Sequence, residues 1–140
     1  MQSKEKNNVI VIRLNSNEDF FKSLRIICEK HKIKNGVVLS GIGQLKNFCL
    51  GYYKKNSGYL TKKFMNPYEL LHLSGNICKI NTNNEFHIHA ILSNEKMKTI
   101  GGHLLNAKVE ITNEIIILKI GIDFSRIIEN SSGLKKMVLN

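Results

Sequence analysis

The chain has 140 residues, of which 42% are hydrophobic and 23% charged, the ordinary balance of a soluble globular domain large enough to bury a core. No apolar run approaches the roughly 18 residues that span a bilayer, and no signal-peptide core follows the charged start Met1-Gln2-Ser3-Lys4-Glu5-Lys6. The expectation is therefore one cytoplasmic, non-membrane domain over residues 1–140, with residues 1–7 disordered. A net charge of +10, from 21 basic and 11 acidic residues, permits weak, salt-sensitive contact with DNA phosphates. Yet only Arg13, Arg25 and Arg126 are arginine, the side chain that best reads guanine edges, and the rest are lysine.

Asn8 to Leu14 is a β-branched run that reads as a first strand. Ser16 or Asn17 offers an N-cap, Glu18 and Asp19 put negative charge in a first helical turn, and Phe20, Leu24 and Ile27 form a stripe at helical spacing. Phe21 and Cys28 lie beside that stripe. The helix should run to about His31, whose place at the cationic end suggests a solvated or dipole-stabilising role. Asn35-Gly36 signals a turn before a second strand, Val37-Val38-Leu39. Gly41 and Gly43 then interrupt the pattern as a bulge, a bend or a close approach of backbones. A lone Gly-x-Gly with no glycine-rich helix start does not support dinucleotide binding.

Gln44 to Tyr53 reads as a third strand, Lys54-Lys55-Asn56-Ser57-Gly58 as a hairpin turn, and Tyr59 to Phe64 as its return. Pro67 precedes a long strand, Tyr68–Ile80, in which strict alternation puts Glu69 and Leu71 on one face and Leu70 and His72 on the other. Asn81 to Glu85 is a turn, Phe86 to Leu92 a strand, and Ile100 to Ile111 another. Asn113 reads as a turn residue before the buried strand Glu114–Ile120. A turn at Asn130-Ser131-Ser132-Gly133 leads to a last strand, Leu134–Leu139. Cys28, Cys49 and Cys78 form no Cys-x-x-Cys pair, so they are expected as reduced, buried thiols. The whole reads as α+β: a mixed, largely antiparallel sheet sandwich with one amphipathic helix.

The chemistry concentrates between Phe86 and Leu105. His87 and His89 stand two apart on a strand, so both project from one face, their Cα atoms about 6.5–7 Å apart. Two such imidazoles can share one ion at bond lengths of roughly 2.0–2.1 Å. If the Ser93–Thr99 turn folds the chain back, His103 supplies a third nitrogen, and Gly101 and Gly102 clear the approach. Three histidines leave the fourth position of zinc, or of another divalent metal, open to water or a substrate oxygen. The alternative is that these are merely surface or hydrogen-bonded histidines.

His87-Ile88-His89-Ala90 and Gly101-Gly102-His103-Leu104, taken together, resemble the signature of the plants-and-prokaryotes-conserved (PPC) domain. So do Leu39-Ser40-Gly41-Ile42-Gly43, Leu50-Gly51-Tyr52-Tyr53 and Tyr68-Glu69-Leu70-Leu71-His72-Leu73-Ser74-Gly75-Asn76-Ile77. The order holds from about Val9 to Leu139. The resemblance implies a compact α/β sandwich that assembles as a homotrimer. It also implies a regulatory or DNA-binding role, although the chain lacks the Arg-Gly-Arg-Pro segment that accompanies the plant domains and reads A·T-rich minor grooves. More distantly, the three-histidine pattern is similar to the zinc site of α-acetolactate decarboxylase. That likeness implies a rival reading, a zinc-dependent lyase or hydrolase acting on a small carbonyl- or carboxylate-containing metabolite. Glu69, in a segment matching the family motif, is the candidate for its proton transfer; its other reading is an edge carboxylate paired with a lysine.

Overall fold

The computed structural model describes residues 1–55 and 57–139. In chain order they form β1 (Gln2–Lys6), β2 (Val9–Asn15), α1 (Phe20–Lys30), β3 (Asn35–Lys54), β4 (Gly58–Phe64), β5 (Tyr68–Ile80), β6 (Asn83–Ser93), β7 (Thr99–Lys119), β8 (Phe124–Ile128) and β9 (Lys135–Leu139). The fold is mostly antiparallel sheet with one helix among the described residues, so the α+β class fits loosely.

β3 and β7 are the longest strands and pair antiparallel from Gly36↔Lys119 to Gly51↔His103. Each changes its other neighbour midway. β7 takes β6 along its first part and β2 along its second, while β3 takes β5 and then β4. Because β5 also pairs with β6, the ladder β3–β5–β6–β7 returns to β3 and closes on itself. Closure leaves these four strands without a bare edge where they pair. β2 and β3 flank β7 and both run against it, so α1 crosses between two strands that are parallel but separated by β7.

One hydrophobic core joins β2 and α1 to these strands. β2 buries Ile10, Ile12 and Leu14 in strict alternation, and α1 buries Phe20, Leu24 and Ile27, the stripe read from sequence. Burying each such side chain contributes about 1.5–3 kcal/mol. The helix cap is Asp19, not Ser16 or Asn17. Its Oδ1 accepts from the Lys22 amide at 2.8 Å, and the first turn holds no acid. His31 is the C-cap but is not solvated, because Ser3 and Glu5 hydrogen-bond its two ring nitrogens. The three cysteines are buried and free; burial pushes the Cys28 thiol up to about 12 and raises Cys78.

Several local expectations are corrected. The stretch expected to be disordered forms β1 along β2; its Glu5 holds both His31 and Lys119, polar contacts that no hydrophobic pattern reveals. The segments read as separate strands on either side of Gly41–Gly43 are one strand, β3, and those on either side of Asn113 are one strand, β7. Asn113 is no turn residue but lies fully buried, registered between Leu14 and Gly43. In β5 a bulge between Leu70 and His72 breaks the alternation, so Leu70 and Leu73 are both buried while Glu69 and His72 are both exposed. Of the expected turn Lys54–Gly58, Asn56 lies outside the described residues; the strands it joins pair from Phe48↔Phe64 to Lys54↔Gly58.

One glycine ties this sheet to the histidine strand. Gly75 lies between Val38 of β3 and Ile88 of β6, with φ +154, and a Cβ there would sit 2.0 Å from the His87 carbonyl oxygen. Only glycine lets β5 and β6 approach so closely. Gly75→Ala should therefore cost more than ~1 kcal/mol, seen as a fall of several degrees in melting temperature. Gly121→Ala, where an added Cβ meets nothing within 4 Å, should leave the melt unchanged.

Candidate metal centre

The three histidines are set by the registers just described. Ser74 of β5, His89 of β6, His103 of β7 and Gly51 of β3 lie side by side in one cross-strand row. Residues directly opposite across an antiparallel pair share a face, so His89 and His103 project together, and His87, two residues from His89, joins them. The ring centroids are 5.1, 5.2 and 5.4 Å apart. His87 Nε2 lies 3.2 Å from His89 Nε2, and the ligand atoms of all three rings fall within 4.8 Å of one another.

These dimensions suit a small divalent ion. Tetrahedral bonds of 2.0–2.1 Å place two ligand nitrogens about 3.3–3.4 Å apart. The His87–His89 pair, at 3.2 Å, is close to that spacing, and a small rotation of His103 would bring its nitrogen in from within 4.8 Å. His103 Nδ1 is buried without a hydrogen-bond partner. Burial, with the nearby Arg126 charge and the other two histidines, lowers His87 to about 4, and burial foremost also lowers His103. Near neutral pH both rings are uncharged, the form that binds metal. Gly101 and Gly102 do stand at tight approaches, since added Cβ atoms would lie 3.1 Å from the Ala90 oxygen and 3.0 Å from the Gly51 oxygen.

The histidines open into a cleft of about 960 Å3 whose walls include Tyr53, Tyr59, Ile91, Glu85, Arg126 and Lys135. Tyr59 packs its ring 5.5 Å from that of His103. Glu69 is not there. It is exposed, accepts a hydrogen bond from Gln44 Nε2 at 3.0 Å, and borders a different cleft with Pro67 and Met97. The acid beside the histidines is Glu85, and Lys135 neutralises it. Arg126, from the separate β8–β9 hairpin, is the site residue that sequence reasoning missed. Its only signal was its type, an arginine in a chain whose other late cations are all lysine.

The sequence pattern of the Plants and Prokaryotes Conserved (PCC, or PPC) domain matches residues 1–121. The chain belongs to that family. Its fold is similar to that of a candidate DNA-binding protein from Bacteroides thetaiotaomicron, with TM-score 0.91, 24% identity, and coverage of 99% of this chain and 96% of that one. A metal-containing protein from Archaeoglobus fulgidus is similar at TM-score 0.84 and 27% identity, covering 96% and 95%. A plant- and prokaryote-conserved protein from Pyrococcus horikoshii is similar at TM-score 0.81 and 24% identity, covering 96% and 93%. Comparison with curated proteins gave no match. No helix among the described residues is long and apolar enough to cross a membrane.

The depressed His87 value has a consequence for stability. Its folded pKa, about 4, lies below the ordinary 6.5, so the unfolded chain takes up the proton first. Stability of the metal-free protein should therefore fall as pH drops from about 6.5 towards 4 and level off below. His87→Gln should flatten part of that slope, read as melting temperature against pH; an unchanged slope would show that the ring is not held neutral.

Proposed function

We propose that this PCC-domain protein is a homotrimeric regulatory protein that binds one divalent ion per chain, zinc first among candidates, on His87, His89 and His103, and that contacts DNA through its basic surface. The observation that carries the metal reading is the sheet register that gathers three imidazoles in one cleft, His89 and His103 directly opposite each other and His87 two residues along. The similarity to a metal-containing protein supports it. The DNA reading rests on the charge of +10 and on the shared fold with a candidate DNA-binding protein. The β3–β4 hairpin also projects exposed Lys54, Lys55, Lys62 and Lys63 beside exposed Tyr52. Lysines so displayed bind phosphates without reading sequence.

A second reading is favoured by the cleft itself: a zinc-dependent enzyme acting on a small carbonyl- or carboxylate-containing metabolite. Bound to three histidines, the ion would polarise a ligand oxygen or acidify water at its open position. For Glu69 to serve as the proton carrier, assembly has to bring it to a neighbouring subunit's histidines, because within one chain it is held elsewhere by Gln44.

The deciding experiment measures metal content and DNA affinity together. Purified, untagged protein should carry about one zinc per chain and lose it in His87→Ala/His89→Ala. DNA affinity should survive a chelator and, for about three phosphate contacts, fall roughly twentyfold when salt is tripled. No metal after zinc is supplied would sink the site, and DNA binding that ignores salt would sink the phosphate reading. Loss of a measured metabolite turnover on chelation would instead favour the enzyme.

Assembly is supported by the outer face of the β2–β7 ladder, where Val11 and Ile116 stand opposite each other and both are exposed, with Ile42 and Ile111 exposed on β3 and β7. Such an apolar strip is suited to burial between subunits. Light scattering should give three times the 16.0 kDa chain mass, falling to one chain when Val11 and Ile116 are both replaced by lysine.

A further inference from the structure

We propose that Arg126 is the anion-binding residue of the histidine cleft, and that the cleft takes a small carboxylate bearing an α-oxygen, its carboxylate on the guanidinium and its α-oxygen towards the ion. This rests on the metal reading above and names the ligand class of that same site.

The first argument is position. Arg126 Nη2 donates to Asn76 Oδ1, and Asn76 is the cross-strand partner of His87. Nη1 donates to the Lys135 carbonyl at 3.3 Å across the β8–β9 hairpin. The guanidinium is thus fixed one residue across the sheet from the histidines and lines the same cleft.

The second argument is an unmet electrostatic demand. Among the described residues no carboxylate ion-pairs with Arg126. The nearby acid, Glu85, is already paired with Lys135. Nε of Arg126 is buried with no hydrogen-bond partner, Nη1 and Nη2 donate to Lys135 and Asn76, and the neighbouring Cys78 thiol, its pKa raised by burial, supplies no counter-charge. A partly buried cation without a counter-ion is costly, and a divalent ion on the three histidines would add two further positive charges to the same wall. A carboxylate, matched to the planar fork of arginine, relieves both. A ligand with a second oxygen next to its carboxylate reaches the open metal position as well.

The arginine lies outside the stretch that carries the family pattern, residues 1–121.

The test uses full-length protein loaded with zinc, dialysed free of coordinating buffer, and titrated calorimetrically with glycolate. Wild type should bind about one glycolate per chain. Arg126→Gln should weaken binding roughly tenfold or more, and Arg126→Lys, which keeps the charge but not the fork, should fall between. Zinc content should be equal in all three, which separates the two readings. Zinc retained with no glycolate bound, or with equal affinity in wild type and Arg126→Gln, overturns the proposal while leaving the metal site standing. Absence of zinc from wild type overturns the metal reading and this proposal with it. Should Arg126→Gln fail to fold, Arg126→Lys decides: affinity equal to wild type overturns the fork contact.

Discussion

The antiparallel pairing of β3 with β7 is the constraint on which the rest of the molecule depends. Because that ladder runs from Gly36↔Lys119 to Gly51↔His103, it fixes where His103 stands before any other strand is added. The turn after β6 then lays Ser93 on Thr99, and counting back along the pair brings His89 opposite His103. β5 closes the circuit by lying between β6 and β3, and it can do so only because Gly75 offers no Cβ to the His87 carbonyl. A slip of one residue anywhere in the β6–β7 pair would turn His103 to the opposite face. The gathering of the three histidines is thus a by-product of sheet closure, not of a loop shaped for the purpose.

Local periodicity made part of this legible. The helix was readable because Phe20, Leu24 and Ile27 repeat within the element itself, and the His87–His89 pair because a strand puts i and i+2 on one face. What the sequence hid was set by partners. Glycines at 41 and 43 and the asparagine at 113 look like breaks, yet Gly43 and Asn113 mark where β3 and β7 crowd together and Gly41 makes room for Leu73 of β5, so each pair of expected strands is one. The bulge after Leu70 has no signature in Tyr68-Glu69-Leu70-Leu71-His72; it exists because β6 advances one residue against two, and it moved His72 to the exposed side. β1 was invisible because its backbone ladder to β2 and the polar contacts of Ser3 and Glu5, not apolar residues, hold it.

Arg126 shows the same limit more sharply. It lies 23 positions beyond His103 in sequence, on a two-stranded hairpin outside the main sheet, and is tied to the histidine strand through Asn76, the cross-strand partner of His87. No spacing rule connects an arginine in a tail to a row of imidazoles; the connection is purely tertiary.

The positive charge of this chain therefore divides into two kinds with different physics. The lysines at 54, 55, 62 and 63 are exposed on a projecting hairpin, where each interacts with an anion through water and salt screens it within about 8–10 Å. Arg126 sits in a concave wall, partly buried, beside rings that burial keeps neutral, so its field reaches the cleft with less screening. A duplex presents its phosphates along a convex rod and matches the first kind. A ligand of a few atoms, small enough to enter the cleft and charged enough to replace the missing counter-ion, matches the second. On the proposed readings the two surfaces could be occupied together, and salt would separate them: raising ionic strength weakens phosphate contact at the exposed lysines far more than a carboxylate contact at the partly buried guanidinium.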